Sequence, residues 1–310
     1  MSRNPSRVFM VVCGLLLALC GVPAAAALEL DVPARVARGD AFLVTARTDT
    51  AADALAFRWR GKTHTVPVML LDGVRTAWLL LPVPVDAKEQ TLSLSVGLAG
   101  DKKVSRTVQA AVALYDRERP VQRLTVERKY VNPPANEQAR IAEDRRKVRA
   151  VISRYTPERY WTLPLLRPVP GGVSSLFGMK RVFNGQPRSV HRGLDLRGAA
   201  GTPIRAAADG VIALVDNLYF SGNTVYINHG LGVFTAYLHM SATDVQPGQT
   251  VRRGDVIGKV GATGRVTGPH LHLSMLVQGV VAPAGTGFRD DASTVAEILP
   301  DSGICRNIAT

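Results

Sequence analysis

Three short fragments carry the side chains best suited to chemistry: His191-Arg-Gly-Leu-Asp195, Tyr237-Leu-His239 and Gly268-Pro-His270-Leu-His272. Of the six histidines in the chain, five (His191, His229, His239, His270 and His272) fall between residues 191 and 272, and only His64 lies far upstream. Imidazole nitrogens together with a carboxylate oxygen suit Zn²⁺. A catalytic zinc takes three protein ligands and keeps a fourth position for water, whose pKa it lowers to about 7.

The elements that would position these side chains can be read from the spacing. Residues two apart on a strand share a face, so His270 and His272 project together from a strand expected over Leu271 to Val277. His191 and Asp195 are four apart, yet Gly193 between them and Gly198 beyond argue against a helix. An extended turn entering a strand at Leu194 to Leu196 fits better. Tyr237 and His239 close the apolar run Val233 to Leu238. Taken singly, a His-X-His or a His-X₃-Asp is equally two polar residues on a solvated strand face. Gathered in one glycine-punctuated β segment, they are far more specific.

That segment resembles the lysostaphin-type (LytM-domain) zinc endopeptidases, which cut peptidoglycan cross-links. The resemblance covers about Pro170 to Pro283. It rests on Ser175-Leu-Phe-Gly178, His191-Arg-Gly-Leu-Asp195, Gly201-Thr-Pro203, Asn228-His-Gly230, Thr235-Ala-Tyr-Leu-His239 and Thr267-Gly-Pro-His-Leu-His272, in that order. It implies that His191, Asp195 and His272 bind one Zn²⁺ per chain and that His239 and His270 are unligated catalytic histidines. Two neutral imidazoles beside a dication should have depressed pKa values. His229, before Gly230 in an expected hairpin turn, is read as structural. Leu273-Ser274 stands where many relatives have Phe-Glu, a departure expected to alter strand packing more than zinc chemistry. Some relatives place an inhibitory asparagine on the metal. Asn184 is the nearest counterpart, but Asn184-Gly185 reads first as a turn.

Around this segment the pattern is mainly β. Residues 1–27 read as an export signal: Arg3 and Arg7, an apolar run from Val8 to Val22, then Ala25-Ala26-Ala27, with cleavage expected near Ala27. The run is shorter than the roughly 20 residues that span a bilayer, so no stable membrane span is expected in the mature chain. Residues 28–115 alternate strand and turn, with strands expected at Leu28–Val36, Phe42–Arg47, Leu55–Arg60, His64–Leu71, Thr76–Leu81, Thr91–Leu98 and Val104–Leu114. This predicts a β-sandwich of immunoglobulin-like size, with Trp59 and Trp78 in its core and His64 on a surface strand. Residues 116–162 form a connector with a strand over Val121 to Val131 and a helix over 136–155, capped by Asn136 and stopped by Pro157. Tyr160-Trp161 is expected to pack at the junction. Residues 163–290 form the antiparallel β peptidase domain. Residues 291–310 are a C-terminal tail with a short helix, Ala292–Leu299.

Cysteine and charge narrow the setting. Cys13 and Cys20 leave with the signal, so Cys305 stands alone and neither a disulfide nor a cysteine zinc cluster is expected. The formal charge of +13 becomes +11 without Arg3 and Arg7. A basic exported protein is drawn to anionic envelope polymers, and no nucleic-acid motif is present to compete for that charge. The expected location is the periplasm or cell envelope. The leading function is hydrolysis of peptidoglycan peptides, with a D-alanyl–diaminopimelate bond as the first guess for the cross-link. The alternatives are a non-catalytic LytM-type module that binds wall or regulates amidases, and a zinc hydrolase acting on another peptide.

Overall fold

The computed structural model describes residues 28–100 and 107–284. The expected signal, residues 104–106 of the last sandwich strand, and the tail with its helix and Cys305 lie outside the described residues.

Strands β1 (Leu28–Asp31), β2 (Arg35–Ala37), β3 (Ala41–Thr48), β4 (Ala54–Trp59), β5 (Lys62–Pro67), β6 (Met69–Leu71), β7 (Val74–Pro82), β8 (Thr91–Leu98) and β9 (Thr107–Tyr115) make two sheets, ordered β1-β3-β7-β6 and β2-β9-β8-β4-β5. Alternate side chains such as Phe42, Val44, Leu55, Phe57, Leu94 and Val96 fill one core between them. Phe42 meets Trp59 edge-on at 5.3 Å, and the Trp59 indole N–H donates to the Pro82 carbonyl of the other sheet at 2.9 Å. Trp59 is buried in this core as expected, whereas Trp78 is buried outside it, under the Arg159 guanidinium. His64 sits on β5 opposite Phe57 and is half-buried.

Two strands expected to be continuous are each divided, and in both cases the chain changes sheets. Pro33 has no N–H for a ladder, so Leu28–Val36 becomes β1 and β2. The second break is at Val68, whose N–H turns away to the Asp53 carbonyl at 2.8 Å, separating β5 from β6.

The connector differs more from expectation. Only its first part is a strand, β10 (Val121–Leu124), followed by a single helical turn, α1 (Arg128–Val131). Asn136 does not cap the long helix. It lies in a 3₁₀ turn, Ala135–Glu137, that runs directly into α2 (Gln138–Ile152), whose first turn has no side-chain cap. The helix ends at Ile152, and Tyr155, beyond it, donates its hydroxyl to the Thr65 carbonyl of β5 at 2.7 Å. Trp161 is buried at the junction, where the Arg159 guanidinium lies over both Trp78 and Trp161, at 4.7 and 5.4 Å from the ring centroids.

The remaining strands are β11 (Val173–Ser175), β12 (Lys180–Phe183), β13 (Gln186–Val190), β14 (Leu194–Arg197), β15 (Pro203–Arg205), β16 (Gly210–Leu218), β17 (Gly222–Asn228), β18 (Val233–Thr243), β19 (Thr250–Val251), β20 (Val256–Val260), β21 (His270–Val277) and β22 (Val280–Ala282). The main path is β11-β14-β21-β18-β17-β16-β19, with antiparallel pairing throughout. Strand parity sorts its two faces. Leu194, Leu196, Val225, Ile227, Tyr237, Leu271 and Leu273 point to one core. Tyr226, Phe234, Ala236 and Leu276 point the other way and meet Val148, Val151 and Ile152 of α2. The helix is further tied down by Lys147 to Asp216 at 2.7 Å and by Asp144, which accepts from the Tyr219 N–H. β10 lies parallel to β12, which also pairs with β13. Among the described residues no helix is long and apolar enough to cross a membrane.

Candidate metal centre

Strand register brings the fragments together. β14 and β21 run antiparallel with Asp195 opposite His272 and Arg197 opposite His270, and on its other side β21 sets His272 opposite Leu238 of β18. All of these face away from the Leu194/Leu196 core, on the same side as α2. The helix covers the far end of that face, around Leu276. The near end is left open as a cavity of about 850 Å³ lined by His191, Asp195, His239, His270 and His272.

Within it, His191 Nε2, Asp195 Oδ1 and His272 Nδ1 form a triangle with sides of 3.0, 2.9 and 3.1 Å. The partners of the remaining atoms fix the tautomers. His191 Nδ1 lies 2.8 Å from the Leu176 carbonyl, which can only accept, so the proton is on Nδ1. Ser274 Oγ donates to the Arg192 carbonyl at 2.8 Å and so accepts from His272 Nε2 at 3.0 Å. Asp195 Oδ2 accepts from the Arg181 guanidinium at 2.9 Å. Three lone pairs therefore point at one another with no proton between them, which a shared cation would satisfy. These three residues form the His/Asp group in which such an ion could sit. Ligands about 2.0–2.2 Å from a tetrahedral zinc stand about 3.3 Å apart, close to these edges. The carbonyl, hydroxyl and guanidinium behind these three side chains are partners of the kind that orient metal-binding groups.

His239 and His270 flank the triangle. His239 Nδ1 meets the Thr263 carbonyl and His270 Nδ1 the Gly268 carbonyl, each at 2.8 Å, which leaves both Nε2 atoms as acceptors toward the cavity. The two rings are 5.1 Å apart, and His270 Nε2 is 3.7 Å from Asp195 Oδ1. His239 is held at a positive φ of 66° where its strand bends around the site. Burial, with the charges of His272 and His270 beside it, pushes its pKa down to about 3. Burial also pushes His272 down, although Asp195 pulls the other way. Both rings are neutral at pH 7.

Residues 189–283 match peptidase family M23. This C-terminal part of the chain has an M23 peptidase fold. Over 110 residues, 35% of the chain, it is 46% identical to the peptidoglycan DD-endopeptidase ShyC of Vibrio cholerae, covering 25% of that protein. It is 45% identical over 107 residues to the DD-carboxypeptidase/endopeptidase Mpg of Neisseria meningitidis, covering 34% of the chain and 25% of the relative. The chain thus spans about a quarter of the length of these curated relatives. A crystal structure of a peptidase M23 from Pseudomonas aeruginosa superposes over 80% of the chain and 92% of its own, with a TM-score of 0.61 and 28% identity.

All five side chains expected at the M23 site line its cavity. His229 does not. It is fully buried between the Asp209 carbonyl (2.6 Å) and the Thr235 hydroxyl (2.7 Å), where burial pushes its pKa down to about 4. Asn184 forms the β12–β13 turn with a φ of 50°, and its amide bonds both the N–H and the carbonyl of Val126. Ser274, at the departure expected to bear mainly on strand packing, also holds the His272 ring with its hydroxyl. Arg181 and Gln122 were not singled out from the sequence, and Ser175 only as the first residue of a matched fragment. Ser175 Oγ sits 3.2 Å from His191 Nδ1, accepts from Arg181 and donates to Gln122 on β10.

Proposed function

We propose that the chain is an exported zinc metalloendopeptidase that hydrolyses peptide cross-links of bacterial peptidoglycan. The observation that carries this reading is the convergence of three unprotonated donor atoms on one point of an open groove with two further imidazole acceptors beside it. His191, Asp195 and His272 are the proposed ligands, and His239 and His270 the proposed catalytic residues. The relatives named above support the substrate class, since two of them are peptidoglycan or DD-peptide hydrolases by name.

A zinc ion held by this set supplies Lewis acidity and a water acidic enough to ionise near neutrality. The chain's own residues then manage the protons. His239 Nε2 and His270 Nε2, both free to accept, take up the proton released in the attack and return it to the departing amine. Because each Nδ1–H is fixed on a backbone carbonyl, an imidazole that gains a proton at Nε2 becomes a donor aimed at the same point, suited to a developing oxyanion. The low basicity of His239 in its buried setting favours returning the proton over keeping it.

In the domain division proposed with this function, residues 28–115 are a positioning module, 116–162 a connector and 163–290 the peptidase. The test is digestion of purified cell-wall sacculi by the zinc-loaded protein, with His191→Ala and His272→Ala as controls. Release of peptide fragments by the wild type alone is the expected result. A zinc-replete protein inert on every wall type refutes the proposal. Metal analysis separates it from a non-catalytic wall-binding module, which should purify without stoichiometric zinc.

A further inference from the structure

The groove leading from the three-donor triangle is walled by arginine. Arg181, Arg192, Arg197 and Arg265 line it, and Asp195 is the one acidic side chain among its described lining residues. An adjoining cavity of about 680 Å³ shares Arg192 and Arg265 and adds Arg145 and Arg149 of α2, with Asp144. Both carboxylates are already engaged, Asp195 by Arg181 and Asp144 by the Tyr219 N–H. A cleft lined by one sign of charge concentrates ligands of the other sign.

Among the arginines lining these cavities, Arg265 stands apart because two aromatic rings hold its guanidinium. Arg181 is committed to Asp195 and Ser175, and Arg188 behind it to Val131, Asn132 and Gln186. The Arg265 guanidinium instead lies between two phenyl rings, 4.7 Å from the centroid of Phe183 and 4.9 Å from that of Phe220. Among the described residues no hydrogen-bond or ion-pair partner meets it. Burial, and then the charges of Arg181 and Arg188, lower its pKa from the usual arginine value, but a guanidinium stays charged at any physiological pH. Two aromatic faces hold the plane of the group fixed and shed its water, while its in-plane N–H donors stay unused. That is the state in which arginine binds a carboxylate in two-pronged fashion.

We propose that Arg265 is the specificity-determining residue of the groove and binds a free carboxylate of the substrate peptide. The inference rests on the peptidase reading above and deepens it: the site prefers peptides carrying an unblocked carboxylate close to the bond that is cut. The loop between β20 and β21 also links this grip to the chemistry. Thr263, two residues before Arg265, supplies the carbonyl that orients His239. Seating an anion on Arg265 thereby steadies the loop that aims the imidazole.

The experiment is equilibrium binding by calorimetry, on the zinc-loaded full chain, of a peptidoglycan stem tetrapeptide with a free terminal carboxylate and of its terminal amide. The wild type should bind the free acid about tenfold to a hundredfold more tightly than the amide. Arg265→Gln should erase the difference, and Arg265→Lys, which keeps the charge but not the fork, should restore only part of it. Zinc content and melting temperature of each variant report whether the site and fold survive. Equal binding of acid and amide by the wild type overturns the proposal, and so does a folded Arg265→Gln that keeps the preference. If Arg265→Gln does not fold, an Arg265→Lys that discriminates as fully as the wild type overturns it instead. Preferential binding of the acid without any cleavage counts against the peptidase reading and leaves the carboxylate site standing.

Discussion

Gly193 is a direct lever on the candidate metal centre. It lies between His191 and Asp195 with an ordinary backbone conformation, so alanine costs nothing in φ, and the whole effect is steric. A Cβ built there stands 2.3 Å from His272 Nε2, 2.6 Å from His272 Cε1 and 2.7 Å from the Leu273 carbonyl oxygen. Normal van der Waals contact begins near 3.4 Å, so the ring must retreat by about 1 Å. The Leu273 carbonyl cannot give way instead, because Leu273 is in register with Leu194 in the β14–β21 ladder. Metal–ligand distances tolerate about 0.2 Å. The swing also pulls His272 Nε2 off Ser274, so Gly193→Ala should weaken zinc binding at least about a hundredfold, roughly 2.7 kcal/mol. The overpacking itself should lower stability by about 1–3 kcal/mol. Competition with a chromophoric chelator gives the affinity, and urea unfolding of the metal-free protein gives the stability. Gly172→Ala is the matched control, since nothing lies within 4 Å of its added Cβ. If Gly193→Ala binds zinc within threefold of the wild type, His272 is not held where the reasoning needs it.

The other predictions address what stands behind the ligands. Ser274→Ala leaves His272 Nε2–H without its acceptor and should cost about tenfold to a hundredfold in zinc affinity by the same titration, with little change in the far-ultraviolet circular dichroism. Arg181→Gln leaves the buried Asp195 carboxylate without its guanidinium, so the metal-free protein should lose about 3–5 kcal/mol in urea unfolding. Zinc should recover more stability in this variant than in the wild type. His229 governs part of the acid limit. Its folded pKa of about 4 lies below the unfolded 6.5, so as pH falls the unfolded chain takes up the proton first. Stability is therefore lost from about pH 6.5 downward, and the loss is complete below about pH 4, amounting to about 3 kcal/mol. Metal-free His229→Gln should lack that part of the slope. An identical pH dependence in variant and wild type would sink the assignment.

The site was legible wherever chemistry is local to a short fragment. His270 and His272 alternate on a strand, and strand parity alone puts them on one face with Asp195 once β14 and β21 pair. The strand expected at Thr91–Leu98 is found with those limits, and Leu271–Val277 gains one residue. The groups behind the ligands were not legible, because the separations are long. Gln122 reaches Ser175 across 53 positions, and Arg181 meets Asp195 only because β12 lies beside the site. The breaks at Pro33 and Val68 escaped notice because apolar alternation continues across a strand that changes sheets. Asn136 carries the side chain of a helix cap, but a 3₁₀ turn entering α2 already supplies the backbone geometry, so nothing remains there for a cap to do.

The parallel pairing of β10 with β12 means that the candidate cleft is assembled partly from chain that precedes the recognised family segment. One bank is β10 and the residues after it, with Leu124 and Val126 lining the groove, and another is α2 with Val148 and Ile152. An excised fragment beginning near residue 163 would retain every proposed ligand and yet lose both shores of its channel. It would also bare Phe183, Phe234 and Leu276 to water. Transplanting the proposed activity into another scaffold therefore requires carrying the sequence from about residue 121 onward, some seventy residues upstream of where similarity to M23 begins.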